Sequence, residues 1–254
     1  MKSLNLQGTI VLQKNLNATT RIVVNQGGTR SSKTYSLAQL IILRALQEQG
    51  KVYTICRKTL PALKSSAYRD FFNILEHHNL YNPNKHNKSE LTYKLNNNLI
   101  EFISVDMSDK VRGRQRQVLW MNEATEFSMD DFVQLSLRCT ENIYLDFNPS
   151  DPYSWIYDKV MTRDDCTFIK STYLDNPFLP KETIKEVERL KNLDSNYWQI
   201  YGLGDMAQPT ETIFRQFELC NNIPTEATLI AIGLDWGYSN DPTAIVEVYR
   251  LNDD

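Results

Sequence analysis

The stretch "VNQGGTRSSKTYSLAQL", residues 24–40, runs from the end of an apolar strand through a short polar turn into a helical pattern. Arg21-Ile22-Val23-Val24 reads as a buried strand, and Leu37, Leu40, Ile41 and Leu46 recur at helical spacing until Gly50 stops the helix. A strand, a glycine turn, a Lys-Thr pair and a helix form a phosphate cradle. The unbonded amides at the helix start point at the anion, and the positive end of the helix dipole favours it. Gly27, Lys33 and Thr34 fit the spacing G-x-x-x-x-G-K-[ST], with Ser32 where the second glycine would stand. The candidate nucleotide-binding residues are therefore Gly27, Gly28, Thr29, Arg30, Ser31, Ser32, Lys33 and Thr34. A serine-rich cap opening an ordinary helix is the alternative reading of the same residues.

Around this stretch the chain alternates strands and helices. Val52 to Cys56 reads as a second strand, and Leu60 to Leu80 as a helix with Phe71, Phe72 and Leu75 on one face. Leu91 to Val105 reads as a hairpin insertion turning at Asn96-Asn97-Asn98. Gln117 to Met121 is a further strand, a helix starts at Ser128, and Asn142 to Phe147 is a strand ending at Asn148-Pro149. The expected class is α/β, a mostly parallel doubly wound sheet with helices on both faces. Residues 181–201 carry a charged helical pattern interrupted near Asp194-Ser195, and "YGLGDMAQP" after it reads as a hinge. "TLIAIGLDWGYSNDPTAIVEVYR" then reads as two strands about a turn. The expected division is a domain over 1–200, a linker over 201–226, and over 227–254 the opening of a second domain; an extra hairpin on the first domain is the alternative.

Composition narrows the classes. A chain of 254 residues fits one large domain or somewhat more, with ample apolar content for a core. Cys56, Cys139, Cys166 and Cys220 are scattered without a C-x-x-C pair, and no signal segment opens the chain, which reads as a reduced cytoplasmic protein. No apolar run approaches bilayer length, so no membrane partner is expected. The formal charge of −3 excludes a uniformly basic DNA-coating protein and leaves room for a local basic patch. His77, His78 and His86 lack metal-ligand spacing to other candidates.

A phosphate cradle that hydrolyses nucleotide also needs a magnesium ligand, a group to orient water and positive charge for the transition state. In "QVLWMNEATEF" an apolar strand delivers Asn122-Glu123 at its carboxyl end, where ligands bind in doubly wound sheets. Glu123 is the candidate to polarise water, and Thr34 to coordinate Mg2+ with an oxygen from Asn122 nearby. An acidic pair complementing a helix N-terminus is the plainer reading. Arg30 is the candidate to meet the developing charge in cis, and Arg112, Arg114 or Arg116 of "DKVRGRQRQ" in trans from a neighbouring subunit. A solvated loop, or one that touches a phosphate backbone, is the alternative for that arginine run.

The motifs together resemble the large terminase subunit of tailed bacteriophages, the motor that packages DNA into the procapsid. The matching stretches are "GGTRSSKTYS", "CRKTLPALKSSAYRDFF", "KVRGRQRQVLWMNEATEF", "YLDFNPSDPYSWIY", "STYLDNPFLPKETIKEVERL", "YWQIYGLGDMAQPTETIF" and "GLDWGYSNDPTA", in the family's order across nearly the whole chain. The resemblance implies an ASCE-type P-loop ATPase followed by a ribonuclease H-like nuclease, with ATP and Mg2+ as cofactors. Carried over by position, Lys33 and Thr34 bind phosphates and magnesium, Glu123 is the catalytic carboxylate, and Asn148 lies in the segment coupling hydrolysis to movement. Asp235 is the first nuclease metal ligand, alone in this chain, so no DNA cleavage is expected of it. The implied partners are double-stranded DNA, the portal protein, the small terminase subunit and further copies in a homo-oligomeric ring, in the host cytoplasm at the procapsid. A GTPase would show N-K-x-D after a strand, and "NKHN" and "NKSE" do not supply it. A terminase-like relic that binds without turnover is the non-enzymatic alternative.

Overall fold

A computed structural model describes residues 6–106, 115–206, 220, 222–237 and 243–251. Strand β1 (Ile22–Gly27) is buried along its whole length, because it sits inside a parallel sheet covered on both faces. The further strands are β2 (Val52–Arg57), β3 (His86–Asn87), β4 (Thr92–Leu95), β5 (Asn98–Ser104), β6 (Arg116–Asn122), β7 (Cys139–Phe147) and β8 (Cys166–Ser171). They form one eight-stranded sheet in the order β3-β4-β5-β2-β6-β7-β1-β8. The six strands from β5 to β8 in that order pair in parallel, and β3-β4-β5 pair antiparallel at one edge.

The helices are α1 (Ile10–Asn17), α2 (Lys33–Gln47), α3 (Leu60–Leu63), α4 (Arg69–His77), α5 (Met129–Ser136), α6 (Trp155–Lys159) and α7 (Lys181–Leu193). Alternation along β1 shows the two covered faces. Val23 packs into a core with Leu37 and Ile41 of α2 and Phe71 and Leu75 of α4. Ile22 and Val24 join a second core with Phe132 and Leu135 of α5 and Ile156 of α6. The α/β class and its mostly parallel sheet are as the sequence implies.

Local chemistry explains several boundaries. Ser128 starts α5 through a capping box, accepting from the Asp131 amide while the Asp131 carboxylate accepts from the Ser128 amide. Asn96 and Asn97 turn the β4-β5 hairpin with φ of 49° and 63°, the left-handed pair that a two-residue loop demands. Expected as an insertion, the hairpin is integral: β5 pairs in parallel with β2 inside the main sheet. The single helix expected over Leu60 to Leu80 is broken. Between α3 and α4 lies a π-turn at Lys64–Tyr68, with Ser66 off helical geometry at φ −123°, ψ −106°. Such bulges recur at functional sites because they re-aim a side chain.

The chain divides into two compact units, Met1–Thr210 and Glu211–Asp254. In the second, β9 (Thr228–Asp235) and β10 (Ala244–Arg250) form an antiparallel pair. Their apolar residues Ile230, Ile232, Ile245 and Val246 are exposed.

Candidate active site

The phosphate-loop stretch leaves β1 and enters α2 as expected, and its backbone shows how Ser32 fills a glycine's place. Arg30 and Ser32 both take left-handed conformations, at φ 61° and 68°, where a side chain costs about 1–2 kcal/mol. The Ser32 hydroxyl lies 2.9 Å from the Thr9 hydroxyl and 3.4 Å from that of Ser36, so the turn is held partly from outside the loop. No side chain caps α2, and its first amides have no preceding helical turn to bond. They are free to meet an anion.

Lys33 is 6% exposed and folds back over the loop. Its ammonium donates to the Gly27 and Gly28 carbonyls at 2.9 Å each, and reaches Asn148 Oδ1 at 3.4 Å. Burial pushes its pKa down, against the charges of Asp146 and Glu123. Asn148, expected in a coupling segment, is thus brought directly to the loop. The opposite side of the loop is held by main chain: Gly28 N–H donates to Ser171 O at 3.1 Å and Thr29 N–H to Tyr201 O at 2.8 Å. A Cβ on Gly28 would lie 2.4 Å from Tyr201 O, so only glycine allows this approach. Gln26 Nε2 bonds Gly204 O at 2.8 Å. Tyr201 and Gly204, expected at the hinge, therefore pack on the expected phosphate loop.

Thr34 Oγ1 donates to Asp146 Oδ2 at 2.9 Å. Asp146 sits on β7 directly beside Asn122 of β6, fully buried. It also accepts from Trp120 Nε1 at 2.7 Å and from Asn122 Nδ2 at 3.2 and 3.0 Å. Burial raises its pKa, opposed by these bonds and by Lys33. The expectation that Asn122 presents an oxygen beside Thr34 is corrected. Its oxygen accepts from Ser66 Oγ at 3.0 Å, and its amide nitrogen faces Asp146 and Thr34. The carboxylate, which accepts, demands that orientation, and the π-turn supplies the serine.

Glu123 follows β6 in a left-handed conformation, φ 55°, ψ 61°, a strain typical of functional positions. Burial first, and then the charge of Asp146, push its carboxyl up to about 7, while Lys33 and Arg57 pull it down. Lys33, Thr34, Glu123 and Asn148 open into one cleft of about 750 Å³, whose wall also includes Thr29, Arg30, Ser31 and Ser32. Arg30 is exposed, with its carbonyl tied to Asn176 Nδ2 at 3.0 Å. Gln7, Thr9, His77 and His78 are among the other residues that line the cleft; the histidines carried no role in sequence.

Arg116 is corrected as a trans candidate: it is 1% exposed at the start of β6, the end away from Asn122. Arg112 and Arg114 lie outside the described residues, as does most of the expected linker. Asp235 ends β9, exposed and paired with Ala244. Among the described residues no group of three or more His, Cys, Asp or Glu is placed to hold a metal ion. None of the described helices is long and apolar enough to cross a membrane.

A strand-loop-helix cradle facing a strand-end glutamate is shared by many nucleotide-binding proteins, so the family is decided by comparison. The family model described as phage terminase large subunit matches residues 19–205. The chain belongs to that family. The terminase large subunit of Bacillus phage SPP1 is 27% identical over 251 residues, which is 88% of this chain and 59% of that protein. The PBSX phage terminase large subunit of Bacillus subtilis (strain 168) is 23% identical over 257 residues, 87% of this chain and 59% of that protein. This terminase chain therefore spans a little under two thirds of the length of those relatives. Among solved structures, the large terminase of a thermophilic bacteriophage superposes with TM-score 0.71 at 17% identity, over 97% of this chain and 66% of that one. The ATPase domain of the Thermus phage P74-26 large terminase gives 0.64 at 12%, over 80% and 96%. At such identities the likeness speaks for the fold.

Proposed function

We propose that this terminase chain binds ATP with Mg2+ in the cleft and hydrolyses it, driving double-stranded DNA into a phage procapsid. The observation that carries the reading is the convergence of Lys33, Thr34 and Glu123, from two distant stretches, on one cleft at the carboxyl ends of a parallel sheet. The large terminase of the thermophilic bacteriophage, which shares the fold, has been solved with ADP and with ATP-gamma-S, which supports ATP as the ligand here.

The amides opening α2 receive the phosphates. Lys33 exchanges its bonds to the Gly27 and Gly28 carbonyls for phosphate oxygens, and this frees the loop from its closed form. The hydroxyl of Thr34, beside the Asp146 carboxylate, would hold Mg2+, whose oxygen-seeking chemistry it fits, and the ion would supply positive charge to the phosphates. Glu123 orients the attacking water and takes its proton, which its raised pKa suits near neutrality. Arg30 meets the developing charge in cis, and Arg112 or Arg114 of a neighbouring subunit does so in trans. Movement leaves by two routes, through Asn148 at Lys33 and through Tyr201 and Gly204 on the loop. DNA is gripped by its phosphates, so log affinity falls linearly with log salt concentration; affinity flat across a salt titration contradicts that grip. The portal protein, the small terminase subunit and further copies in a ring are the assembly partners. Glu211–Asp254 opens a ribonuclease H-like nuclease with Asp235 as its first metal ligand.

The test is calorimetric titration of the chain with ATP-gamma-S and Mg2+, beside Lys33→Ala. Saturable binding abolished by the substitution supports the reading. A folded wild-type chain that binds nothing overturns it.

A further inference from the structure

We infer that Asp146 supplies a negative charge that positions Mg2+, one that the neutral amide of Asn122 does not carry, acting through the Thr34 hydroxyl. The inference rests on the ATP and Mg2+ reading above. It starts from register: Asn122 and Asp146 are direct neighbours on parallel strands β6 and β7, so a carboxylate at either position projects from the same place at the sheet's carboxyl end. Asp146 is fully buried inside the apolar run Ile143–Phe147. Burying an isolated carboxylate is expensive, and such groups persist when they are paired or hold a metal.

Among the described residues the hydrogen bonds to the Asp146 carboxylate come from neutral donors, Trp120, Asn122 and Thr34. Three neutral dipoles orient the anion without cancelling its charge, and one of them is the hydroxyl already assigned to the ion. Lys33 acts on it through space, and that ammonium moves to phosphate when nucleotide binds. Arg57 also acts on Asp146 through space, so the bound state keeps that charge and a cation at Thr34 would take over from Lys33. Asn122 cannot replace Asp146, since its nitrogen faces the site while Ser66 occupies its oxygen. Glu123 leaves the strand in a left-handed turn and faces the cleft, which fits work on water. A purely structural Asp146, tying β6 and β7 to α2, is the competing explanation, and the Mg2+ dependence separates the two.

The experiment is calorimetry of the full chain with ATP-gamma-S, in Mg2+ and in EDTA, for wild type, Asp146→Asn and the transposed pair Asn122→Asp with Asp146→Asn. Wild type gains affinity from Mg2+. Asp146→Asn loses about 10- to 100-fold of that gain, the scale of outer-shell losses at metal sites, and keeps its EDTA affinity. The transposed pair preserves the carboxylate–amide pairing, so it folds even where Asp146→Asn does not, and it recovers most of the Mg2+ gain. An Mg2+ gain retained in Asp146→Asn, an equal loss in Mg2+ and EDTA, or no recovery in the transposed pair overturns the inference and leaves the nucleotide reading intact. A wild type that binds no nucleotide under either condition overturns both.

Discussion

Replacing Ser32 by glycine and, separately, by alanine divides backbone strain from side-chain bonding at the turn where the phosphate loop departs from its usual glycine. Ser32 holds φ 68°, ψ 11°, at a cost of about 1–2 kcal/mol for a residue with a Cβ. Its hydroxyl bonds Thr9 at 2.9 Å, worth about 0.5–1.5 kcal/mol net. Alanine keeps the strain and loses the bond, so it destabilises by about 1 kcal/mol. Glycine loses the bond as well, and about 0.5–1 kcal/mol of chain entropy, but relieves the strain, which leaves it close to wild type. For a unit of this size, about 1 kcal/mol shifts Tm by roughly 2–4 °C. Thermal unfolding should therefore rank glycine near wild type and alanine a few degrees below both. ATP-gamma-S should bind the glycine variant at least as tightly, since the backbone approaches phosphate without strain. Alanine melting at or above glycine refutes the claim that Ser32 is held against its preference.

Three further outcomes follow from the same geometry. Gly28→Ala places a Cβ 2.4 Å from Tyr201 O and 2.9 Å from Gly202 O, so about 1–3 kcal/mol of stability is lost and hydrogen exchange at Thr29 rises; an unchanged Tm contradicts the packing of hinge on loop. Hydrolysis should rise with pH through an apparent midpoint near 7 as Glu123 loses its proton, and a flat profile from pH 6 to 8 counts against Glu123 as the base. Because its folded value is raised above its ordinary 4.5, the protonated Glu123 favours folding fully below about 4.5, and this stabilisation is lost as pH rises through about 7. Glu123→Gln should thus raise Tm at pH 8 relative to wild type, and a lower Tm there would show that burial acts on this carboxylate with the opposite sign.

Much of this was legible because the decisive signals are local. The apolar strand before Gly27, the helical spacing after Lys33 and the strand-end Glu123 each announce themselves within a few residues, and parallel topology then brings them together. What stayed hidden depends on long-range neighbours. Asp146 lies within "IYLDFNP", where it reads as one polar residue in a strand; its role appears only when β7 is laid beside β6. A carboxylate inside an otherwise apolar run was the available signal. The break at Ser66 has no proline or glycine at the bulge to mark it, and the bond that Ser66 makes there goes to Asn122, distant in sequence. Helix α1 and strand β8 are short and weakly patterned, yet they place Thr9 and Ser171 against the loop. Arg116 shows the converse error: an arginine in a charged run looked exposed, and its position as the first residue of a central strand buries it.

The proposed role of Glu123 is to turn a nucleotide-binding cleft into one that hydrolyses ATP. It is tested most directly by single-turnover quenching of ATP bound to excess protein, wild type beside Glu123→Gln, in the presence of DNA. Both proteins should bind ATP alike, and only wild type should convert it to ADP. Conversion at the wild-type rate by Glu123→Gln would contradict that role.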